Sequence, residues 1–297
     1  MLSILIPTYN HSIINLVKEL HRQCLDIKII FEIIIFDDAS SDKLISSKNI
    51  SVKKLNNVIY KINETNIGRS ATRNKLIDES KYKWILFIDA DVIPKSKKFI
   101  KNYLDAINNN IQVISGGLAY KNSPINKKQI LRWKYGKNRE YKPIKIRQKN
   151  PYISLFSSNF LILKKVIVNT PFNEEISKKA NEDSLFSYEL KLNKIMVKHI
   201  ENEVFHENLE YSSVFLKKTL EYSKSSLLLV QKNLLNKDYM KITKTYFTLK
   251  KFKIDYLFKL IYIIFERILQ KQLKSSRPSL FIFDLYRLSY LCYISKI

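Results

Sequence analysis

The sequence predicts an α/β fold in which a mostly parallel sheet is flanked by helices and is followed by a C-terminal helical extension. Over residues 1 to about 200, short β-branched runs alternate with longer helical or polar stretches. Several of these runs are apolar without alternation, which indicates strands covered on both faces. After about residue 210 the apolar residues recur at helical spacing instead. We therefore expect an α/β domain over residues 1–210 and a helical extension over residues 211–297.

Four apolar runs in the first hundred residues predict four strands of this sheet. They are Leu2–Thr8, Phe31–Phe36, Val58–Ile62 and Trp84–Ile88. Helical patterns lie between them over residues 13–23 and 69–80, and a further helix is expected to start at Pro94.

Polar residues follow three of these strands directly. The segments are Pro7-Thr8-Tyr9, Asp37-Asp38 and Asp89-Ala90-Asp91. Because open α/β sheets bind ligands beyond the carboxyl ends of their strands, we expect these segments to line one cleft. The chain has only 4 glycines and neither a GxGxxG nor a GxxxxGK[ST] motif. A nucleotide diphosphate bound here would therefore need a metal ion and side chains to balance its charge.

Two acidic pairs and one histidine are the candidate chemical groups. Asp89 and Asp91 follow a buried strand, where a hard divalent cation would compensate their charge, although Asp91 could instead cap a following helix. Glu182 and Asp183 open a helix predicted over residues 184–192, where acidic side chains also stabilise the helix end. His206 follows a strand-like segment and is either a metal ligand or a structural histidine.

Basic residues greatly outnumber acidic ones, with 52 Lys and Arg against 27 Asp and Glu and a formal net charge of +25. This excess is compatible with an anionic membrane surface or an anionic donor, and equally with a codon bias towards lysine. The arginine clusters and aromatic strands of specific base readers are missing, so we expect no specific nucleic acid as a partner.

Several protein classes are excluded by the composition. No apolar stretch reaches the roughly 20 residues that span a bilayer. Cys24 and Cys292 lie far apart without a CxxC spacing, which excludes a disulfide scaffold and a zinc ribbon and favours a reducing compartment. The first apolar run stops at Pro7 and has no basic region before it, so we expect a cytoplasmic protein.

The C-terminal third is basic and amphipathic. Residues 214–230 carry apolar side chains at helical spacing with lysines on the other faces, and the aromatic runs 256–265 and 280–294 are interrupted by charges. Such helices either pack on the α/β domain or lie at the surface of an anionic membrane, and both interpretations stay open at this point.

Five motifs, taken in order, resemble the inverting family 2 glycosyltransferases of GT-A fold. They are SILIPTYN at 3–10, IIIFDDAS at 33–40, NIGRSATRN at 66–74, FIDAD at 87–91 and NED at 181–183. The resemblance covers about the first 210 residues and implies a GT-A-like sheet with a Rossmann-like nucleotide-binding half. Ala39 stands where glycine is usual in the family, and Thr72 where alanine is frequent.

The resemblance also implies a reaction. One hexosyl or N-acetylhexosaminyl group would move from a nucleotide-sugar donor, a UDP-sugar foremost, to a hydroxyl of a glycan or lipid-linked acceptor in surface polysaccharide biosynthesis. Residues 157–162 and 171–175 resemble the acceptor-side strand and loop of the family. Gln129–Trp133 matches the QxxRW signature of processive synthases but precedes Glu182, so we interpret it as a coincidence.

Individual roles carry over from the matching motif positions. Asp183 is implied as the general base with Glu182 beside it, and Asp91 and His206 as ligands of a divalent cation, Mn²⁺ or Mg²⁺. The implied donor-binding residues are Pro7, Thr8 and Tyr9 against the nucleotide, Asp38 on the base, Asn66, Gly68, Arg69 and Arg73 along the donor, and Asp89 and Ala90 near the ribose.

Two alternatives to glycosyl transfer belong to different classes. A nucleotidyltransferase also uses paired carboxylates and a metal, but its glycine-rich phosphate loop is missing here. A non-catalytic basic module that binds membranes or nucleic acid would explain the charge without using the acidic residues.

Overall fold

A computed structural model describes residues 1–124, 126–175 and 180–295, and the chain divides into two units. The first unit comprises Met1–Ala119, Tyr141–Lys178 and Glu182–Asn208. The second comprises Tyr120–Glu140, Lys179–Asn181 and Leu209–Ile297.

The strands that the described residues form all belong to the first unit. They are β1 (Leu2–Thr8), β2 (Phe31–Asp37), β3 (Val58–Ile62), β4 (Trp84–Ile88), β5 (Val92–Pro94), β6 (Val113–Ser115), β7 (Leu118–Ala119), β8 (Asn159–Leu163), β9 (Val197–His199) and β10 (Val204–His206). Seven of them form a sheet in the order β3-β2-β1-β4-β8-β6-β9. Within it only β8 runs antiparallel to its neighbours. A small sheet has the order β5-β10-β7.

The first unit contains the helices α1 (Ile14–Asp26), α2 (Lys43–Asn49), α3 (Arg69–Glu79), α4 (Phe99–Asp105), α6 (Ile144–Lys149), α7 (Lys164–Asn169) and α8 (Glu182–Leu192). Helix α5 (Ile130–Tyr135) lies between α4 and α6 in sequence and belongs to the second unit. The second unit continues with α9 (Ser212–Gln231), α10 (Lys241–Lys251), α11 (Asp255–Leu273) and α12 (Leu280–Ile294).

Burial on both faces explains why the central strands lack alternation. Every residue of β2, β4 and β8 is buried, and so is every residue of β1 except Pro7. Removing this apolar surface from water is the main driving force of folding and contributes a free energy of about 25 cal/mol per Å² buried. The predicted fold, a mostly parallel sheet flanked by helices with further helices at the C-terminus, is confirmed.

The prediction that a helix begins at Pro94 is wrong. Pro94 is the last residue of β5, where it pairs with Val204 at the edge of the small sheet, and α4 begins only at Phe99. An edge strand tolerates proline because one of its sides needs no N–H donors. Lys98, and not Asp91, precedes α4, so the helix-cap interpretation of Asp91 is also wrong. Helix α8 in turn begins at Glu182, two residues before its predicted start.

The second unit is helical and has its own apolar clusters. The larger cluster joins Leu131 of α5 with side chains of α9, α11 and α12, and Arg132 beside it is buried. The Arg132 guanidinium lies 2.9 Å from Glu140 Oε2 and 3.3 Å from Glu210 Oε2. Arg132 of the QxxRW sequence therefore forms a structural ion-pair cluster. Among the described residues, no helix has the length and apolarity needed to cross a membrane.

The turn after β2 is held by buried hydrogen bonds and contains a strained residue. The carboxylate of Asp37 accepts from Ser40 N at 2.8 Å and from the Tyr60 hydroxyl at 2.6 Å. Ala39, between them in this turn, has φ of 57°. This left-handed conformation costs an L-residue roughly 1 kcal/mol, whereas glycine adopts it without that cost.

We expect Ala39→Gly to raise the free energy of unfolding by up to about 1 kcal/mol, because glycine adopts the left-handed conformation without strain. Ala71→Gly, inside α3, is the matched control and should lower it by about 0.5–1 kcal/mol. Urea denaturation of both variants measures the difference, and equal losses would contradict strain at Ala39.

Candidate active site

The site residues lie where β1, β2 and β4 end at one edge of the sheet. These strands are parallel neighbours, so their carboxyl ends are adjacent. The Asp38 N–H donates to Thr8 O at 2.9 Å, which joins the first two ends directly. The Asp89 N–H donates to Ser158 O, at the start of β8, at 3.3 Å. The three predicted polar segments are thus brought to the same edge.

Asp38 organises the loop that leads into α3. Its carboxylate accepts from the backbone N–H groups of Ile67 at 2.8 Å and Gly68 at 2.9 Å, and from Asn63 Nδ2 at 3.0 Å. Asn66 Nδ2 donates to the Asp38 carbonyl at 3.1 Å. Gly68 has φ of 90°, a value that favours glycine. The structure therefore brings Asp38, Asn66 and Gly68 together, and it adds Asn63, which was not predicted.

Arg73 of α3 lies at the centre of the acidic residues. Its side chain is 2% exposed. Nη2 donates to Asp89 Oδ1 at 2.8 Å and to Ser157 Oγ at 3.1 Å, and Nη1 donates to Glu182 Oε1 at 3.3 Å. The guanidinium also lies over the Phe172 ring, 5.2 Å from its centroid. One buried cation thus connects α3, the end of β4, the segment before β8 and the start of α8.

Glu182 and Asp183 are adjacent carboxyls whose pKa values are shifted in opposite directions. Burial raises the pKa of Glu182, but Arg69 and Arg73 outweigh it and hold that pKa below its ordinary value. Burial, and next the negative charge of Glu182, raise the pKa of Asp183 to about 6. Asp183 Oδ1 accepts from Ser184 N at 2.8 Å, which orients the carboxyl. Pairs of carboxyls separated in this way are typical of acid–base sites.

Arg69 and Arg73 both contact Glu182, but they differ in their exposure to solvent. Arg69 Nη1 lies 3.4 Å from Glu182 Oε1, but its side chain is 53% exposed. Arg69 therefore keeps a solvent-facing cationic group at the site, whereas the charge of Arg73 is turned inward.

Asp91 and His206 are brought together by strand pairing. In the small sheet β5 and β10 are antiparallel, and Val92 pairs with His206. His206 Nε2 lies 3.7 Å from Asp91 Oδ2, and Nδ1 lies 3.0 Å from the Glu207 carbonyl oxygen. The Glu207 N–H donates to Asp91 O at 2.8 Å. Glu207 was not predicted as a site residue.

The tautomer of His206 suits a cation beside Asp91. A carbonyl oxygen only accepts, so in the neutral imidazole Nδ1 carries the proton and Nε2 presents a lone pair towards the carboxylate. In the described part of the chain, no group of three or more His, Cys, Asp or Glu side chains is arranged to hold a metal ion. The Asp91–His206 pair offers two protein ligands, so an ion held there would need oxygens of a diphosphate or of water to complete its coordination.

The remaining predicted residues lie along the same edge. Thr8 is buried and its Oγ1 donates to the His11 carbonyl at 3.3 Å. Tyr9 is 45% exposed, and its hydroxyl lies 3.5 Å from Ser41 Oγ. Pro7 and Ala90 are half-buried.

Comparison with known proteins agrees with the motifs. The sequence model of the family described as "Glycosyl transferase family 2" matches residues 3–170, which is more than half of the chain. The chain belongs to glycosyl transferase family 2. This confirms the family that the motifs resemble. A curated relative of the family 2 chain is an "Uncharacterized glycosyltransferase" of Haemophilus influenzae, 29% identical over 143 residues. That match covers 44% of this chain and 46% of the relative, so it spans about half of the relative's length.

Solved structures share the fold of this family 2 chain at low identity. The mannosyltransferase PcManGT of Pyrobaculum calidifontis, in complex with GDP-Man and Mn²⁺, has a TM-score of 0.56 and 10% identity, over 77% of this chain and 64% of the other. S. aureus TarS 1-349 has a TM-score of 0.54 and 16% identity, over 100% and 92%. Its complex with UDP-GlcNAc has a TM-score of 0.52 and 18% identity, over 99% and 92%. The predicted GT-A-like fold is confirmed.

We expect Arg73→Met to lower the free energy of unfolding by about 3 kcal/mol, since it leaves the buried Glu182 and the half-buried Asp89 without their shared cation. Arg69→Met, the matched control on the same carboxylate, should cost less than about 1 kcal/mol because Arg69 is exposed. Guanidinium denaturation of both variants is the measurement. Similar losses in the two would contradict the central role of Arg73.

Proposed function

We propose that this family 2 chain is an inverting glycosyltransferase. It would move one hexosyl or N-acetylhexosaminyl group from a UDP-sugar to a hydroxyl of a glycan or lipid-linked acceptor. The observation that carries the proposal is the Glu182–Asp183 pair, whose pKa values are separated by burial and by Arg73 and Arg69. Family membership supports the reaction class.

Asp183 would act as the general base. As the acceptor oxygen attacks the anomeric carbon, its proton passes to the Asp183 carboxylate while the bond between that carbon and the diphosphate oxygen breaks. One displacement from the opposite face inverts the configuration. Burial, and next the charge of Glu182, which the two arginines hold ionised, raise the pKa of Asp183 and make it a stronger base than an ordinary aspartate. Such a base typically contributes about 10²- to 10⁴-fold to the rate.

The donor would lie along the strand ends. The exposed ring of Tyr9 offers a stacking surface for the base, next to Pro7 and Thr8. The Asp38 carboxylate already accepts three hydrogen bonds and has room for about one more, from a ring N–H of uracil. TarS has been solved with UDP and with UDP-GlcNAc, which supports a UDP-sugar.

The diphosphate of the donor would bind close to an exposed cation at the same edge of the sheet. Arg69 keeps an exposed guanidinium there, with Asn66 and Gly68 before it on the loop into α3. Asp89, held by Arg73, would face the ribose beside Ala90.

Asp91 and His206 would hold a divalent cation, Mn²⁺ or Mg²⁺. When bound, such an ion neutralises negative charge that develops on a departing nucleoside diphosphate. PcManGT was solved with Mn²⁺, which supports this assignment. Asp91 contributes a carboxylate oxygen, and the Glu207 carbonyl keeps His206 Nε2 turned towards it.

We place the reaction in the cytoplasm and in the assembly of surface polysaccharides. Cys24 and Cys292 are buried and unpaired, as proteins of a reducing compartment have them. The polysaccharide role follows from the family resemblance, and identifying the acceptor that accepts the sugar tests it.

Thermal stabilisation by nucleotide sugars tests the proposal most directly. UDP-, GDP- and dTDP-sugars are added with Mn²⁺, and a ligand that binds the native state raises the melting temperature. Stabilisation by a UDP-sugar, followed by release of UDP when acceptor is added, is expected. Binding of polyanions alone, with no response to any nucleotide sugar, would instead identify a basic binding module.

We expect Asp183→Asn to lower turnover by about 10²- to 10⁴-fold while donor binding persists. The wild-type rate should rise as pH increases through about 6, where Asp183 loses its proton. Measuring UDP release across pH gives the turnover rate of each variant and the dependence of that rate on pH. Asp78→Asn, an exposed aspartate of α3, is the control and should change neither. An unchanged rate in Asp183→Asn would eliminate Asp183 as the base.

The same substitution should also stabilise the fold. The pKa of Asp183 rises from 3.8 to about 6 on folding, so ionised Asp183 disfavours the native state increasingly as pH rises towards 6, and fully above it. Asp183→Asn should therefore raise the free energy of unfolding by about 1–2 kcal/mol at neutral pH and leave it unchanged in acid. Denaturation at both pH values checks that a loss of turnover is not a loss of fold.

We expect Asp91→Ala to abolish the Mn²⁺-dependent part of the stabilisation by UDP, and His206→Ala to weaken it, because each variant removes one proposed ligand. Melting temperatures are compared with and without Mn²⁺. Asp105→Ala, at an exposed aspartate of α4, is the control. Full metal dependence in both site variants would rule out this pair as ligands.

A further inference from the structure

Helix α11 is apolar on its inner and its outer side. Tyr262, Leu269 and Leu273 are buried in the larger apolar cluster of the second unit. The opposite side also carries large apolar residues. We define the α11 outer face by the row Leu257, Leu260, Ile264 and Ile268, whose exposed fractions lie between 45% and 64%. Their spacing of three and four residues places them in one line along the helix.

This row is continuous with further exposed apolar side chains. Tyr256, Ile263 and Phe265 lie on its two flanks and are exposed as well. Single exposed leucines are common on protein surfaces, but a contiguous apolar face of this kind marks a surface that binds something.

The α11 outer face carries positive charges, whereas helical spacing places Asp255 and Glu266, the two acidic residues of the helix, on its other side. Arg267 and Lys271 lie within the face near its C-terminal end, and both are exposed. The acidic residue Glu266 points away from it, because Glu266 Oε1 accepts from the buried Tyr262 hydroxyl at 2.9 Å. Further exposed cations stand before and after the helix: Lys250, Lys251, Lys253, Lys274 and Arg277.

A second copy of the chain does not fit this pattern. In a two-fold dimer the same face meets itself, so Arg267 and Lys271 would approach the leucine and isoleucine row and the cations of the other copy. The net charge of +25 adds repulsion between copies. An anionic bilayer has the complementary chemistry: its phosphates pair with the lysines and arginines, and its acyl region accepts the leucine and isoleucine row.

We infer that the α11 outer face docks the protein on an anionic lipid surface, with the helix lying parallel to the bilayer. The apolar row would enter the boundary between head groups and acyl chains, while Arg267 and Lys271 contact phosphates. None of these residues belongs to the proposed active site, so the test needs no donor and its outcome does not depend on the proposed reaction.

Vesicle flotation with the full chain tests the inference. Vesicles of equal parts phosphatidylglycerol and phosphatidylcholine should bind the protein, and pure phosphatidylcholine vesicles should bind it much less. Leu260→Gln with Ile264→Gln should reduce binding at least about tenfold, because both side chains leave water in the bound state. Leu44→Gln with Leu192→Gln, which changes two exposed leucines of the first unit, is the matched control and should bind like the unchanged chain.

A charge pair tests the electrostatic part. Arg267→Gln with Lys271→Gln should reduce binding roughly fivefold per charge at low salt, and high salt should remove most of this difference. Lys53→Gln with Lys54→Gln, an exposed pair of the first unit, loses the same net charge and should have little effect. Circular dichroism verifies that each variant keeps its helices.

Three outcomes would overturn the inference. The first is no binding of the unchanged chain to the anionic vesicles. The second is equal binding by the α11 variants and their controls. The third is a dimer, detected by analytical ultracentrifugation without lipid, that Leu260→Gln with Ile264→Gln converts to a monomer, since the α11 outer face would then be the interface between two copies.

Discussion

The buried guanidinium of Arg73 is the interaction on which the candidate site depends. A cation that is removed from water needs anions at hydrogen-bond distance, and Asp89 and Glu182 supply them. They lie at the end of β4 and at the start of α8, so one charge holds together segments that are distant in sequence. The same charge helps keep Glu182 ionised, which in turn raises the pKa of Asp183. Folding and the proposed acid–base chemistry are therefore linked through this one side chain.

Backbone pairing has the corresponding role for Asp91 and His206. The antiparallel register of β5 and β10 pairs His206 with Val92, so Asp91, the residue before Val92, lies beside the imidazole. The Glu207 carbonyl then sets the orientation of the imidazole. The small sheet thus brings the two proposed ligand atoms, His206 Nε2 and Asp91 Oδ2, to 3.7 Å from each other.

The positively charged side chains have different roles, depending on whether they are buried or exposed. Arg73 and Arg132 are buried, each between two carboxylates, and their charges serve the structure. Arg69 is exposed beside Glu182, and the lysines and arginines near α11 are exposed around an apolar face. Net charge alone does not distinguish these cases, because burial and the neighbouring groups decide what each cation does.

The sequence by itself determined the α/β class, three of the four predicted strands to the residue, and the family. Strands buried on both faces leave continuous apolar runs, and motif order is a property of the chain alone. It did not reveal β5, which is three residues long and ends in proline, or the later start of α4. Only the tertiary structure decided that Arg73 faces inward, that Asn63 and Glu207 support the site, and that Glu182 and Asp183 differ in pKa. These properties depend on contacts between residues far apart along the chain, as with Arg73 and Glu182, and on the exclusion of water around them, which no local pattern encodes.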